Sequence, residues 1–265
     1  MKKDFVILVL GFSRPLHIAD VLTSLEKQGA LEYVDVWIDG HQGIHDVKLK
    51  VDQVKEVASK FAVNKIYSHN GNLGFRKLLL QALSEAAAKY KHIMVLEDDC
   101  FPTRHAVEVF KRELKIIENE PDVFSIYGHP FFVEAEGETC SRFQGWGWGT
   151  TSEKLTPFLK QLIDCYSLTE ERYLSFVKEV LTNEVKSRID VTQLRLPSST
   201  LTSFFAWDET LCLLTALAGK VHKKTPVRTI YNCGAGVDSS RFKNVDWYLK
   251  PPFNIVDHNK IWDYF

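Results

Sequence analysis

At 265 residues and 45% hydrophobic composition, the chain can bury a large core, as one domain or as two closely joined parts. Its 33 Lys and Arg nearly cancel its 34 Asp and Glu, which removes any whole-chain electrostatic case for a polyanion, so no nucleic-acid partner is expected. No apolar run reaches the roughly 18 residues that span a bilayer, and no transmembrane segment is expected.

The N-terminal stretch "MKKDFVILVLGFSRP" superficially suggests a signal peptide, but Asp4, Arg14 and the lack of a small-residue cleavage site argue against one. "DFVILVLGFSRP" predicts a buried strand ending at Gly11, and "LHIADVLTSLEKQG" a helix stopping at Gly29. "YVDVWIDGHQG" repeats the strand pattern with Asp39-Gly40 at its tip, "HDVKLKVDQVKEVASKFA" predicts a second helix, and "NKIYSHN" a short strand. "GFRKLLLQALSEAAAKY" predicts a third helix opening after a glycine turn, and "HIMVLEDD" the next strand. Strands alternating with helices imply a mostly parallel α/β sheet covered on both faces, which explains the continuously apolar strands.

Beyond about residue 120 the pattern changes. "PDVFSIYGHPFF" reads as a strand, "CSRFQGWGWGTT" as a glycine- and tryptophan-rich loop, residues 151–190 as amphipathic helix, and "FFAWDETLCLLTALAGK" as a further helix closed by Gly219. Residues 1–120 are expected to form a nucleotide-binding half, and 121–265 a substrate half of one compact unit. The five scattered cysteines lack the C-x-x-C spacing of a zinc site and are expected to be reduced thiols of a cytoplasmic protein.

The chemistry concentrates at three places. In open parallel sheets ligands bind beyond the carboxyl ends of the strands, and Gly11–Arg14, Asp39-Gly40 and Glu97-Asp98-Asp99 all follow strands at that edge. Adjacent carboxylates repel unless a cation or hydrogen-bond donors offset them, and Mn²⁺ or Mg²⁺ prefers such oxygen ligands while sharing itself with substrate phosphates. The alternative is that one acid caps a helix starting near Thr103 and the others sit in water. Arg14 carries a guanidinium fork suited to phosphate or a base carbonyl, with a surface ion pair as its plain alternative. Asp39-Gly40 could equally be a simple turn. "HNGNLGFRKLL" sets Asn72, Gly74, Arg76 and Lys77 at a helix N-terminus, where backbone N–H groups and basic side chains could meet a diphosphate or only cap the helix. In "FQGWGWGTT" the glycines allow close backbone approach and the Trp146 and Trp148 faces suit a sugar ring, or else form an aromatic packing hinge.

A strand ending in "VLEDDC", preceded by a helix that starts from an Asn-Gly turn, resembles the nucleotide-sugar half of GT-A-fold glycosyltransferases. The form is most similar to N-acetylglucosaminyltransferase I-like enzymes and bacterial surface-polysaccharide sugar transferases, over residues 5–105. The resemblance implies a GT-A (Rossmann-like) fold and a metal-dependent, inverting transfer of a hexosyl or N-acetylhexosaminyl group. It makes residues 1–120 a nucleotide-sugar-binding half and 121–265 an acceptor-binding, catalytic half of the same domain. The donor would be a nucleotide-diphosphate sugar, first of all a UDP-sugar, and the acceptor a glycan or lipid-linked glycan in bacterial surface polysaccharide synthesis. It also implies Asp99 as the ligand of Mn²⁺ or Mg²⁺, with Glu97 and Asp98 beside the nucleotide, Arg14 on the nucleotide and Asp39 on its base. The similar segment "WGWAT" in the bacterial enzymes implies that Trp146, Gly147 and Trp148 line a sugar.

In the same family an aspartate of a "WD" segment deprotonates the acceptor hydroxyl, and Asp208 stands there. Asp208 is also well placed to cap a helix beginning at Glu209, which would make it a weaker base and leave Glu209 as the substitute. Arg241 or Lys243 could fold over the diphosphate and His258 could reach the metal. A sugar nucleotidyltransferase remains an alternative, although "GFSRP" is a poor match for its glycine-rich loop, as does a non-catalytic binding module of the same fold. Peripheral contact with the inner face of a membrane through the tail aromatics stays open, without a basic amphipathic helix to support it.

Overall fold

The computed structural model describes residues 2–130, 139–189, 206–236, 248–250 and 253–265. Its first half is four parallel strands, β1 (Lys3–Gly11), β2 (Val34–Ile38), β3 (Lys65–Ser68) and β4 (Tyr90–Glu97), lying side by side in the order β3-β2-β1-β4. Between them run α1 (Pro15–Lys27), α2 (His45–Ser59) and α3 (Phe75–Lys89). Pro15 opens α1 at a position whose N–H would have no helical partner.

The alternation of side chains along β1 divides the core into two. Val6, Leu8 and Leu10 pack with α3, α5 (Ser152–Ser167) and α8 (Trp207–Leu217) on one face of the sheet. Phe5, Ile7 and Val9 pack with α1, α2 and α4 (Ala106–Ile117) on the other. A strand buried on both faces favours apolar residues throughout, which is why β1 reads as an unbroken hydrophobic run from Phe5 to Leu10; β2 is interrupted by the buried Asp35, which accepts from Asn64 Nδ2 at 2.6 Å.

Past β4 the sheet becomes mixed. β5 (Cys100–Pro102) leaves it to pair with β10 (Ile230–Asn232), and β6 (Val123–Tyr127) re-enters it. β8 (Trp148–Thr151) then inserts antiparallel between β4 and β6. β9 (Val221–Lys224) pairs parallel to β6, and β7 (Thr139–Cys140) closes the edge antiparallel to β9. The expected mostly parallel sheet is thus a mixed eight-stranded one, continuous across both expected halves. The helical region expected over 151–190 is α5, α6 (Glu170–Val180) and α7 (Asn183–Ile189). A 3-10 turn, His258–Tyr264, ends the chain. Among the described residues no helix is long and apolar enough to cross a membrane, and all five cysteines are free thiols.

Candidate active site at the carboxyl edge of the sheet

Register brings the expected strand tips together. Gly11 pairs with Ile38 and Leu10 with Glu97, so Arg14, Asp39 and Glu97–Asp99 follow three strand ends at one edge. Because β8 is antiparallel to β4, with Trp148 opposite Val95, the chain enters β8 from this same edge and carries Gly145–Gly147 to it. The β5–β10 ribbon brings in the segment after Asn232: Cys233 N–H donates to the Asp99 carbonyl at 2.9 Å.

Arg14 is the counter-charge of the acidic tip. Its guanidinium donates to Asp99 Oδ2 at 2.8 Å and to Asp98 Oδ1, with both carboxylates almost fully buried. Burial opposes the charge on Arg14, but the two carboxylates outweigh it and hold the guanidinium above its usual value. One cation does not compensate the whole cluster. Burial pushes Asp98 above the usual carboxylate range despite Arg14, with Asp99 adding to the shift. Glu97 is raised much further, first by burial and then by Asp99, with Asp208 and Asp98 contributing and Arg14 opposing.

Asp208, from the other half of the chain, is thus near enough to this cluster for its charge to be felt at Glu97. It lies in the first turn of α8, whose N-cap is Ala206, so the expected cap by Asp208 before a helix starting at Glu209 is not made. Its Oδ1 is buried without a hydrogen-bond partner. Glu209, the substitute base, is tied to Arg142 in a mostly buried ion pair. That contact occupies Glu209 and leaves Asp208 as the carboxylate of α8 with an unused oxygen.

Neither Asp98 nor Asp99 caps the following helix, which starts at Ala106 with His105 as N-cap and no side-chain cap. The oxygens left over suit a hard divalent cation: Asp99 Oδ1 has only the weak Cys100 thiol at 3.7 Å, and Asp208 Oδ1 has nothing. Among the described residues no three carboxylates converge within 4.8 Å, so the chain offers single ligands and not a closed cage. Single carboxylates fit an ion that shares itself with substrate phosphates and water.

Several expected contacts are spent within the protein. Asp39 accepts from the backbone N–H of Gly40 at 2.8 Å, Leu73 at 2.7 Å and Gly74 at 3.0 Å, and from Asn72 Nδ2 at 3.2 Å. Asn72 also donates to the Gly40 carbonyl at 2.9 Å. The pair Asp39 and Asn72 thus shapes the loop before α3, whose N-cap Gly74 adopts φ +79°. Arg76 is exposed with its guanidinium 5.5 Å from the Tyr166 ring centre, at the start of α3.

The tryptophan loop divides against expectation. Trp148 is 0% exposed and packs among Phe124, Phe143 and Trp207, so it cannot line a sugar: as the first residue of β8 it points into the core. Gly147 serves packing, since a Cβ there would stand 2.6 Å from Ile230 carbons and its φ is +67°. Trp146 remains partly exposed, held edge-on by His129 at 5.1 Å. His129 is kept neutral, its pKa lowered to about 3 by burial and by Arg228, and it accepts from Asn232 N–H at 3.1 Å.

Two glycines that sequence reasoning did not single out shape the site. A Cβ at Gly234 would overlap Asp99 Oδ2 and stand 3.0 Å from Arg14 Nη1. A Cβ at Gly145 would meet the Trp207 ring at 3.1 Å and Asp208 Cβ at 3.5 Å. The repeated glycines of "NCGAG" and "GWGWG" were the available signal. Arg241 and Lys243 lie outside the described residues. His258 is not at the carboxylates: it stacks on His17 and bonds Asp20.

No family model and no curated protein matches the chain. Among solved structures it is similar to a mannosyltransferase from Pyrobaculum calidifontis in complex with GDP-Man and Mn²⁺, at 13% identity and TM-score 0.43, covering 83% of this chain and 74% of that one. It is also similar to 4-diphosphocytidyl-2C-methyl-D-erythritol synthase from Anaerococcus prevotii, at 8% identity and TM-score 0.40, covering 66% of this chain and 83% of that one. A third is mannose-1-phosphate geranyltransferase from Thermus thermophilus, at 12% identity and TM-score 0.38, covering 85% and 74%.

Proposed function

We propose that the chain is a glycosyltransferase that moves a sugar from a nucleotide-diphosphate sugar to a hydroxyl acceptor at this sheet edge. The observation that carries the reading is the under-compensated cluster: Glu97, Asp98 and Asp99 against one arginine, with Asp208 of α8 near enough to raise Glu97 and carrying a buried, unpartnered Oδ1. Such a cluster calls for a cation, and a carboxylate with an unused oxygen is available to accept a proton from an acceptor hydroxyl.

In this reading the bond between the anomeric carbon and the diphosphate oxygen breaks and its electrons leave with the diphosphate. The acceptor oxygen forms the new bond to that carbon, and its proton goes to Asp208. A bound Mn²⁺ or Mg²⁺, with Asp99 as its main protein ligand, would supply counter-charge to the leaving diphosphate. Arg14 holds the Asp98 and Asp99 carboxylates in place, and Trp146, at the same edge, offers the sugar an apolar face. A separate base and in-line attack invert the anomeric centre. Surface polysaccharide as the product, and a UDP-sugar as the first donor to try, rest on the resemblance of "VLEDDC".

Calorimetric titration with UDP-, GDP-, dTDP- and CMP-sugars, with and without Mn²⁺, tests the reading in wild type, Asp99→Ala and Asp208→Asn. Metal-dependent binding of one donor, lost in Asp99→Ala and kept in Asp208→Asn, is expected. Turnover of that donor should fall about 10²–10⁴-fold in Asp208→Asn. Folded protein that binds no donor under any condition would overturn the proposal, and donor binding without turnover in wild type would overturn it in favour of a non-catalytic module.

A further inference from the structure

Beside the carboxylates lies a second group of ligand atoms of different chemistry. His17 sits in the first turn of α1, Cys233 just past β10, and His258 in the C-terminal 3-10 turn, and one ligand atom of each lies within 4.8 Å of the others. Among the described residues this is the one such trio, and it includes no carboxylate. Cys233 is buried, while both imidazoles keep some exposure, which leaves the trio reachable by a small ion.

Each imidazole also has the hydrogen-bond support that a metal-bound histidine usually has. A ligating histidine characteristically donates its second ring N–H to a carboxylate or a backbone carbonyl, which fixes the tautomer and leaves the other nitrogen's lone pair free. His258 Nε2 lies 2.8 Å from Asp20 Oδ2, and Asp20 is itself held by Trp262 Nε1 at 2.7 Å. His17 Nε2 lies 3.3 Å from the carbonyl oxygen of Cys233. With both Nε2 atoms donating, each ring has its Nδ1 lone pair free. The two forms of support, carboxylate and carbonyl, occur here together.

We propose that His17, Cys233 and His258 form a binding centre for a zinc-class transition metal ion, separate from the carboxylate site, that fastens the C-terminal turn to α1. The proposal goes beyond the glycosyltransferase reading and does not depend on it. One thiolate and two imidazoles select Zn²⁺ or Co²⁺ over the Mn²⁺ or Mg²⁺ suited to Asp99. Metal–N and metal–S lengths of about 2.0–2.3 Å set donors roughly 3.3–3.8 Å apart in a tetrahedral site, so closing the trio takes on the order of 1 Å. The rings stack at 3.8 Å and 5°. Capture of an ion tilts the rings out of that stack about their Nε2 hydrogen bonds until both lone pairs meet it. The Cys233 thiol gives up its proton to the solvent as the metal–sulfur bond forms. Three protein ligands leave a fourth position for water.

No sequence motif announced the centre, because its ligands come from three distant parts of the chain. It would hold the C-terminal turn directly beside the Arg14 and Asp99 tip, since Cys233 N–H is bonded to the Asp99 carbonyl.

The test is titration of chelator-treated, reduced protein with Co²⁺, followed by absorption, with Zn²⁺ as competitor and no nucleotide present. One equivalent of Co²⁺ per chain is expected, with a thiolate-to-cobalt charge-transfer band and tetrahedral d–d bands, all displaced by Zn²⁺. The charge-transfer band should vanish in Cys233→Ser, persist in Asp99→Ala, and require about 10–100-fold more Co²⁺ in Asp20→Asn. If Cys233→Ser does not fold, His258→Ala at the chain end carries the test, with affinity reduced at least tenfold. Failure of wild type to bind one equivalent, or a charge-transfer band unchanged in Cys233→Ser or in His258→Ala, would overturn the proposal. Because the readout contains no donor, metal or acceptor of the transfer reaction, its failure leaves the glycosyltransferase reading standing, and the converse also holds.

Discussion

Replacing Arg14 by methionine keeps most of the side-chain volume and removes the charge that Asp98 and Asp99 share. The guanidinium is 17% exposed, and the two carboxylates 4% and 8%, so water cannot take its place without opening the site. Removing one partner of a buried ion pair costs about 3–5 kcal/mol, because the remaining charge stays buried and unpaired. For a chain of this length that corresponds to a Tm lowered by roughly 6–20 °C. The loss has a defined pH dependence. Asp98 is already raised by burial in spite of Arg14. Without Arg14 it rises further, so the folded variant holds protons that the unfolded chain releases from about pH 4 upward. Stability of the variant relative to wild type is therefore best near pH 4 and falls as pH rises toward neutrality. Denaturant unfolding of both proteins from pH 4 to 8 measures this, and millimolar Mn²⁺ should restore part of the neutral-pH deficit by replacing the lost counter-charge. A deficit under about 1 kcal/mol at pH 7, or one equal at pH 4 and pH 7, would refute this account of Arg14.

The glycine that admits Asp99 offers an independent probe: Gly234→Ala drives a Cβ into Asp99 Oδ2 and should cost about 1–3 kcal/mol of stability, with metal-dependent donor binding weakened at least tenfold by calorimetry. Donor affinity equal to wild type would show that the Asp99 carboxylate is not where the donor's metal sits. The two tryptophans should separate cleanly. Trp148→Ala, from a fully buried site, is expected to lose about 3–5 kcal/mol in denaturant unfolding. Trp146→Ala should lose less stability and act mainly on the KM for donor or acceptor sugar, and equal stability losses would contradict the division of the loop. Burial, chiefly, and then Asp99 raise the carboxyl of Glu97, so Glu97 stays protonated well above the ordinary range. Because its folded pKa exceeds the unfolded one, stability is lost as pH rises above about 4.5 toward the folded value. Glu97→Gln should therefore stabilise the metal-free protein at neutral pH, measured as a raised Tm, whereas an unchanged or lowered Tm would count against that burial.

Much of the first half was legible in the sequence because its information is local. Apolar periodicity, the glycines closing α1 and opening α3, and Pro15 at the head of α1 specify strands and helices residue by residue. The rule that ligands gather at carboxyl strand ends then anticipated that Arg14 and Glu97–Asp99 would meet, and the in-register pairing of Gly11 with Ile38 and Leu10 with Glu97 realises it. The second half depends on partners far away in the chain. Nothing within "GWGWG" states that β8 enters antiparallel between β4 and β6, yet that insertion sends Trp148 into the core and leaves Trp146 at the edge. Likewise, nothing within "VWIDG" states that the loop before α3 would donate to the Asp39 carboxylate, since Leu73 and Gly74 lie more than thirty residues further along the chain. The trio of His17, Cys233 and His258 exists only because the β5–β10 ribbon and the final turn fold back onto α1. Short-range spacing along the chain determined which elements form. Long-range packing decided which side chains remain free to do chemistry, since a carboxylate, an imidazole or a tryptophan takes its role from the groups that surround it.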